Sequence, residues 1–315
     1  MPLDPRARSL LDMAYRVGAP KFHELDEGQA RRSMVKLQEA FQPDAPAVAS
    51  VTEVPIGSSG GVVLARAYRP IGAAPDAVLP VLVFLHGGGW CIGSVETHDV
   101  LCRELCNASG MNVLSVDYRL APEHPFPAAF DDVLATVRWL KRHASEIGAD
   151  PTRVALAGDS AGGNLALAAA LWLRDAGESM VRALGLVYPC VEIFAETDSR
   201  RRFAQGFFLD EESLAWFFER YLPHPGDAMD WRASPILAER FDGLPPLSLV
   251  TAECDPLVDE CEALATRFES CGIEVRRHPA EGMVHGFITL GKMFPQSGRA
   301  IAALSADLAD FLTCD

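Results

Sequence analysis

From residue 50 onward, short apolar runs alternate with amphipathic stretches of helical spacing. The strand-like runs fall at 50–55, 62–68, 81–85, 112–116, 154–157, 184–188, 247–251 and 273–277. The first two are joined by the turn Ser58-Ser59-Gly60-Gly61, a cluster of residues that breaks regular structure. The later runs are short and apolar, as parallel strands covered on both faces require. Helical spacing separates most of them, at 97–108, 128–143, 161–174, 257–270 and about 299–312. This alternation predicts the α/β class, a doubly wound, mostly parallel sheet with helices on both faces.

Two regions break the rhythm. Residues 1–41 have helical spacing and dense charge, with Leu10, Leu11 and Tyr15 on one face and Met34, Leu37 and Phe41 on another. A Pro/Ala-rich linker follows at 43–48. Between Tyr188 and Leu247 lie nearly sixty residues, including a helix-like 210–221 that carries Trp216, Phe217 and Phe218. An insertion of that length between consecutive strands is a lid rather than a loop.

Composition narrows the class. The chain has 315 residues, 49 % hydrophobic and 23 % charged, near globular averages. Its 28 Lys+Arg against 43 Asp+Glu give a net charge of −15, with no basic run to neutralise nucleic-acid phosphates. The eight cysteines, Cys91, Cys102, Cys106, Cys190, Cys254, Cys261, Cys271 and Cys314, are scattered. They lack the paired spacing of a zinc site and are expected to be buried and reduced. Residues 1–18 contain no basic stretch followed by an apolar core, and no run reaches membrane-spanning length. A soluble, cytoplasmic protein is expected.

The chemistry concentrates in a few motifs. Gly158-Asp159-Ser160-Ala161-Gly162-Gly163 follows a strand and opens an Ala-rich helix, the setting of a nucleophile elbow. His86-Gly87-Gly88-Gly89-Trp90 follows the strand at 81–85. Its bare amides, with that of Ala161, suit the oxygen of a tetrahedral intermediate. Neither GKS/T nor GxGxxG spacing follows, so a phosphate loop is disfavoured. His86 is expected to orient the glycine loop.

A serine nucleophile needs a base and an orienting carboxylate, in the chain order Ser, acid, His for an elbow of this type. Only His224, His278 and His285 follow Ser160. His224 sits between prolines in the insertion, and His278 ends a strand as a rim group. His285 lies in a Gly-flanked loop beyond the last strand and is the choice. For the acid, Asp255 stands at a strand end before Pro256, with Glu253 the main rival. Asp259 and Glu260 fall in the following helix, where charge usually marks a solvated face; Asp259 could also brace the loop.

The segments His86–Gly89, Gly158–Gly163, Asp255-Pro256-Leu257, His285-Gly286-Phe287 and the run DYRLAPEHPFPA at 117–128 together resemble the hormone-sensitive-lipase-like carboxylesterases, a branch of the α/β hydrolases. The resemblance runs from about residue 50 to the end. It implies a sheet of about eight strands and a helical cap. The cap would comprise 1–46 and 191–239, and the catalytic core 47–190 and 240–315. By position, Ser160 resembles the nucleophile, Asp255 the acid and His285 the base, with Gly88, Gly89 and Ala161 as oxyanion donors. No metal or cofactor is implied, the partner is a small ester, and homodimerisation is a family-level expectation.

The expected reaction is hydrolysis of short- to medium-chain acyl esters through an acyl-enzyme. Trp90, Phe203, Phe207, Phe208, Trp216 and Phe287 are candidates for the acyl pocket. Two rivals are an amidase, deacetylase or peptidase using the same three residues, and a ligand-binding relative like the plant gibberellin receptors. The latter resemble this family but lack the histidine that is present here as His285.

Overall fold

The computed structural model describes residues 3–178 and 180–313. Met1 and Pro2, at the head of the N-terminal stretch, and the cysteine Cys314 lie outside the described residues. The chain begins with α1 (Pro5–Arg16) and α2 (Glu27–Phe41), then the strand pair β1 (Ser50–Ser58) and β2 (Gly61–Arg69). Next come β3 (Leu79–Leu85), α3 (Asp99–Ser109), β4 (Asn112–Asp117), α4 (Ala128–His143), β5 (Ala149–Asp159), α5 (Ala161–Asp175) and β6 (Val181–Val187). The insertion carries α6 (Asp198–Arg202) and α7 (Glu211–Tyr221), and β7 (Leu247–Cys254), α8 (Val258–Ser270), β8 (Val275–Val284) and α9 (Pro295–Phe311) complete the fold.

The strands form one sheet in the order β1-β2-β4-β3-β5-β6-β7-β8. The β1–β2 and β2–β4 pairs are antiparallel and the remaining pairs parallel. The strand side-chain period of two divides the core. Val81, Val83 and Leu85 of β3 join one cluster with the apolar faces of α4, α5 and α8. Leu82 and Phe84 point the other way, into a cluster with α3 and α9. Both sheet faces are thereby covered, and every expected strand is present. Among the described residues no helix is long and apolar enough to cross a membrane.

Three elements differ from the sequence reading. The helical stretch 1–41 is two helices, because Gly18 turns left-handed at φ 60° and Asp26 restarts the chain with a capping box. Its carboxylate accepts from Gln29 N–H at 2.7 Å, and the Gln29 side chain accepts from Asp26 N–H, a reciprocal arrangement that fixes a helix start. The short α6 had no sequence signal. Strand β8 continues to Val284, through Pro279 and Gly282, which read as breakers. It is the last strand of the sheet, and an edge strand tolerates a missing N–H on its outer side. His278 is therefore within the strand, its Nε2 2.5 Å from Asp307 Oδ2.

The cysteine expectation needs one correction. The seven described cysteines are free and six are buried, but Cys271 is exposed, as the cap residue that ends α8.

Candidate active site

Strand β5 ends in a sharp turn, and the first residue past it is Ser160, with φ 55° and ψ −118°. A positive φ is strained for serine and is held only by its surroundings. The flanking glycines allow it. A Cβ on Gly158 would lie 2.5 Å from Leu85 O, and one on Gly162 would lie 1.9 Å from the same oxygen. No larger residue fits between β3 and the turn. Ser160 thus stands at the C-terminal edge of the sheet, where open α/β folds bind ligands.

Two loops bring partners to it. His285, immediately after β8, has Nε2 2.9 Å from Ser160 Oγ. Its Nδ1 lies 2.7 Å from Asp255 Oδ2. Asp255, just past β7, is fully buried and accepts from Leu257 N–H at 2.9 Å. A buried carboxylate can only accept here, so Nδ1 carries the proton and Nε2 is left to accept from the serine hydroxyl. The Tyr188 ring lies 4.5 Å from the imidazole centroid.

The rival residues lie elsewhere. His224 is exposed and its N–H donates to Asp227. Glu253 accepts from Gly282 N–H at 2.6 Å and ties β7 to β8. Asp259 accepts from Ser199 N–H at 2.7 Å and so anchors α6. Glu260 corrects the expectation of a solvated face. It is 1 % exposed, accepts from Val191 N–H at 2.8 Å and pairs with Arg200 at 2.7 Å. The insertion is legible in the sequence, but nothing in its pattern shows that Val191 and Arg200 fold over this helix and turn Glu260 inward.

The glycine loop after β3 faces Ser160. Gly87 N–H donates to Asp159 Oδ1 at 2.8 Å. Among the described residues nothing accepts from the amides of Gly88 or Gly89. Ala161 opens α5, so its N–H has no intrahelical partner. His86 is buried and stacks on Tyr118 at 4.2 Å, while Tyr118 OH donates to His86 O at 2.7 Å. Burial, helped by the neighbouring His98, pushes His86 down to about 3, so it is neutral and holds the loop in place. Burial pushes the Asp159 carboxyl up, but the neighbouring His98 and the Gly87 amide outweigh it and hold Asp159 below its ordinary range.

The cleft above these groups encloses about 730 Å³, the open solvent at its mouth included. Of the expected aromatics it is lined by Trp90 and Phe208, not by Phe203, Phe207, Trp216 or Phe287. Phe203 and Phe207 pack on each other, and Trp216 lies under Arg220. The sequence reading missed Phe22, Met34, Gln38, Phe217 and Phe218 as lining residues. They come from α2, α7 and the short turn before α2, whose amphipathic patterns show a buried face but not what it faces. Among the described residues one cluster could share a cation, His23, Asp210 and Glu212. Lys21 already sits 2.6 Å from Asp210, which makes the cluster an ion-paired joint between the N-terminal segment and α7.

Residues 82–289 match the family described as the alpha/beta hydrolase fold. The carboxylic ester hydrolase LipN of Mycobacterium tuberculosis is 38 % identical, over 98 % of this chain and 84 % of its own. The chain belongs to the hormone-sensitive-lipase-like carboxylesterases. An ethyl acetate hydrolase of Pseudomonas putida is 33 % identical to this esterase over 92 % of both chains. An ester hydrolase from the Lake Arreo metagenome superposes on the esterase with a TM-score of 0.93, at 41 % identity over 98 % of each chain. The activity is carboxylic ester hydrolysis.

Proposed function

We propose that Ser160, His285 and Asp255 carry out this hydrolysis as nucleophile, base and orienting acid, on esters with short and medium acyl chains. Ser160 attacks the ester carbonyl as His285 takes its proton, and His285 then protonates the leaving alcohol. Asp255 holds the imidazole in the accepting tautomer and balances its charge while protonated. The amides of Gly88, Gly89 and Ala161 receive the oxyanion, each worth about 3 kcal/mol of barrier. Water then repeats the sequence on the acyl-enzyme.

The observation that carries the reading is the continuous relay of 2.9 Å and 2.7 Å contacts from a strained serine to a buried carboxylate. Replacing Ser160 by alanine tests it: turnover of p-nitrophenyl butyrate is lost while the circular dichroism spectrum is kept. Activity near wild type would remove Ser160 from the reaction.

The cap we propose comprises 1–46 and 191–239, over a core of 47–190 and 240–315. The cleft lining contributed by α2 and α7 supports this division. A preference for acyl chains of roughly eight carbons or fewer fits an apolar cleft crowded by Phe217 and Phe218. It also fits a relative named for ethyl acetate. Faster cleavage of emulsified long-chain triglyceride would contradict it. The location we propose is the cytoplasm, where thiols such as the six buried ones stay reduced.

A further inference from the structure

One polar side chain of the cleft has no part in the reaction just described. Gln38, on the buried face of α2, lines the cleft and is 3 % exposed. Its Nε2 donates to Thr289 Oγ1 at 3.0 Å, and the Thr289 hydroxyl donates in turn to Gly286 O. This succession fixes which way the amide points. Turned over, the Gln38 oxygen would need the proton that Thr289 has already given to Gly286. Oε1 is therefore the end left over, and it is buried without a partner. An unpaired carbonyl in such a place is costly, and a ligand that donates to it relieves the cost.

Thr289 and Gly286 follow His285 in the chain, so Gln38 stands at the imidazole end of the cleft. In the reaction proposed above, that end holds the leaving alcohol, because His285 protonates it. We infer that Gln38 is a specificity-determining residue for the alcohol part of the substrate. Its Oε1 accepts from a hydroxyl on that alcohol, so monoesters of diols are cleaved in preference to esters of plain alkanols. The inference rests on the Ser160–His285 reading.

The test compares two series of acetates. One holds the monoacetates of diols from ethylene glycol to hexanediol; the other holds n-alkyl acetates in which a methyl replaces the terminal hydroxyl. Each rate is divided by that of alkaline hydrolysis. At the chain length that reaches Gln38, the hydroxyl ester is favoured in kcat/KM by roughly 5- to 100-fold. Gln38→Met brings that ratio close to one. A wild-type series with no preferred length overturns the inference, and so does a ratio that survives Gln38→Met. If that variant does not fold, Thr289→Val frees the amide to turn and must lower the ratio; an unchanged ratio again overturns it. Ser160→Ala on the same esters separates the two readings. Turnover that survives it refutes the nucleophile, whereas a flat series with Ser160-dependent turnover refutes only the role of Gln38.

Discussion

Gly89→Ala probes whether the glycine loop stabilises charge or merely lines the cleft. Gly89 has φ +55°, and a Cβ there would lie 2.3 Å from both Cγ and Cδ1 of Phe217. Alanine at this φ costs about 1–2 kcal/mol by itself. Ordinary contact begins at 3.4 Å, so the gap must open by about 1 Å, and a shift of that size costs roughly 100-fold in rate when it misplaces a reacting group. Phe217 cannot retreat easily. It is 5 % exposed and wedged between Phe22 at 5.5 Å and Trp216 at 5.1 Å. The loop must yield instead, and it carries the Gly89 amide with it. Loss of one oxyanion donor lowers kcat by about 10²–10³.

The assay is steady-state hydrolysis of p-nitrophenyl butyrate, with thermal unfolding followed on the same samples. Expected are a kcat reduced about 100-fold, a KM within a few-fold of wild type and a modest fall in Tm. Adding Phe217→Ala deletes all three ring atoms the new methyl would strike, and kcat recovers by at least about tenfold, a coupling that two independent sites would not show. A Gly89→Ala enzyme with wild-type kcat would refute the role given to that amide. A loss confined to KM would make the loop a binding wall only.

Other changes test neighbouring parts. Asp255→Asn presents an amide to His285 Nδ1 and selects the wrong tautomer, so kcat falls by about 10⁴ with little change in Tm; a fall under tenfold would contradict the relay. Glu260→Gln strips the partly buried Arg200 of its counter-charge, a loss of up to about 3 kcal/mol, which calorimetry reads as a Tm lowered by several degrees; unchanged Tm would show the pair is inert. Glu123 is held down to about 2 by its bond to Arg31 of α2. A lowered carboxyl contributes stability that is complete above about pH 4.5 and fades as pH falls toward 2. With its side chain 54 % exposed, screening leaves about 1 kcal/mol or less. Urea unfolding of wild type and Glu123→Gln therefore shows a gap at pH 7 that shrinks by pH 3.5, and a constant gap would contradict the linkage.

The legible parts of this protein are those whose constraints are local. A strand, a turn too tight for a side chain and a helix leave the pattern around Ser160, and a glycine run after β3 leaves another. The middle of the sheet is readable because β3 to β7 are covered on both faces and so are mostly apolar. Asp255 and His285 took more, since their meeting depends on two loops about thirty residues apart; chain order and strand ends narrowed them. Glu260 was misread because its solvent is removed by the insertion, and nothing near position 260 records that. Strand β8 was cut short because Pro279 and Gly282 are breakers everywhere except on an edge strand with room to bulge.

The same reasoning explains why the chemistry of the cleft is easier to read than its selectivity. The groups proposed to react sit on the rim of the sheet, and Ser160 and the glycine loop are under backbone demands that few residues satisfy. The lining from α2 and α7 answers only to the demand for an apolar face, which many residues satisfy equally, so its pattern says "buried" without saying against what. On α2 the apolar series Ala30, Met34, Leu37 and Phe41 is the whole signal of packing. Gln38 stands four residues after Met34, on the same side of the helix, and breaks that series. A helix that only had to pack would keep an apolar residue there. The Gln38 amide N–H ties α2 to Thr289, which accounts for a polar residue at position 38, while its carbonyl is left unpaired, a demand that packing does not make and that the substrate hydroxyl proposed above would meet.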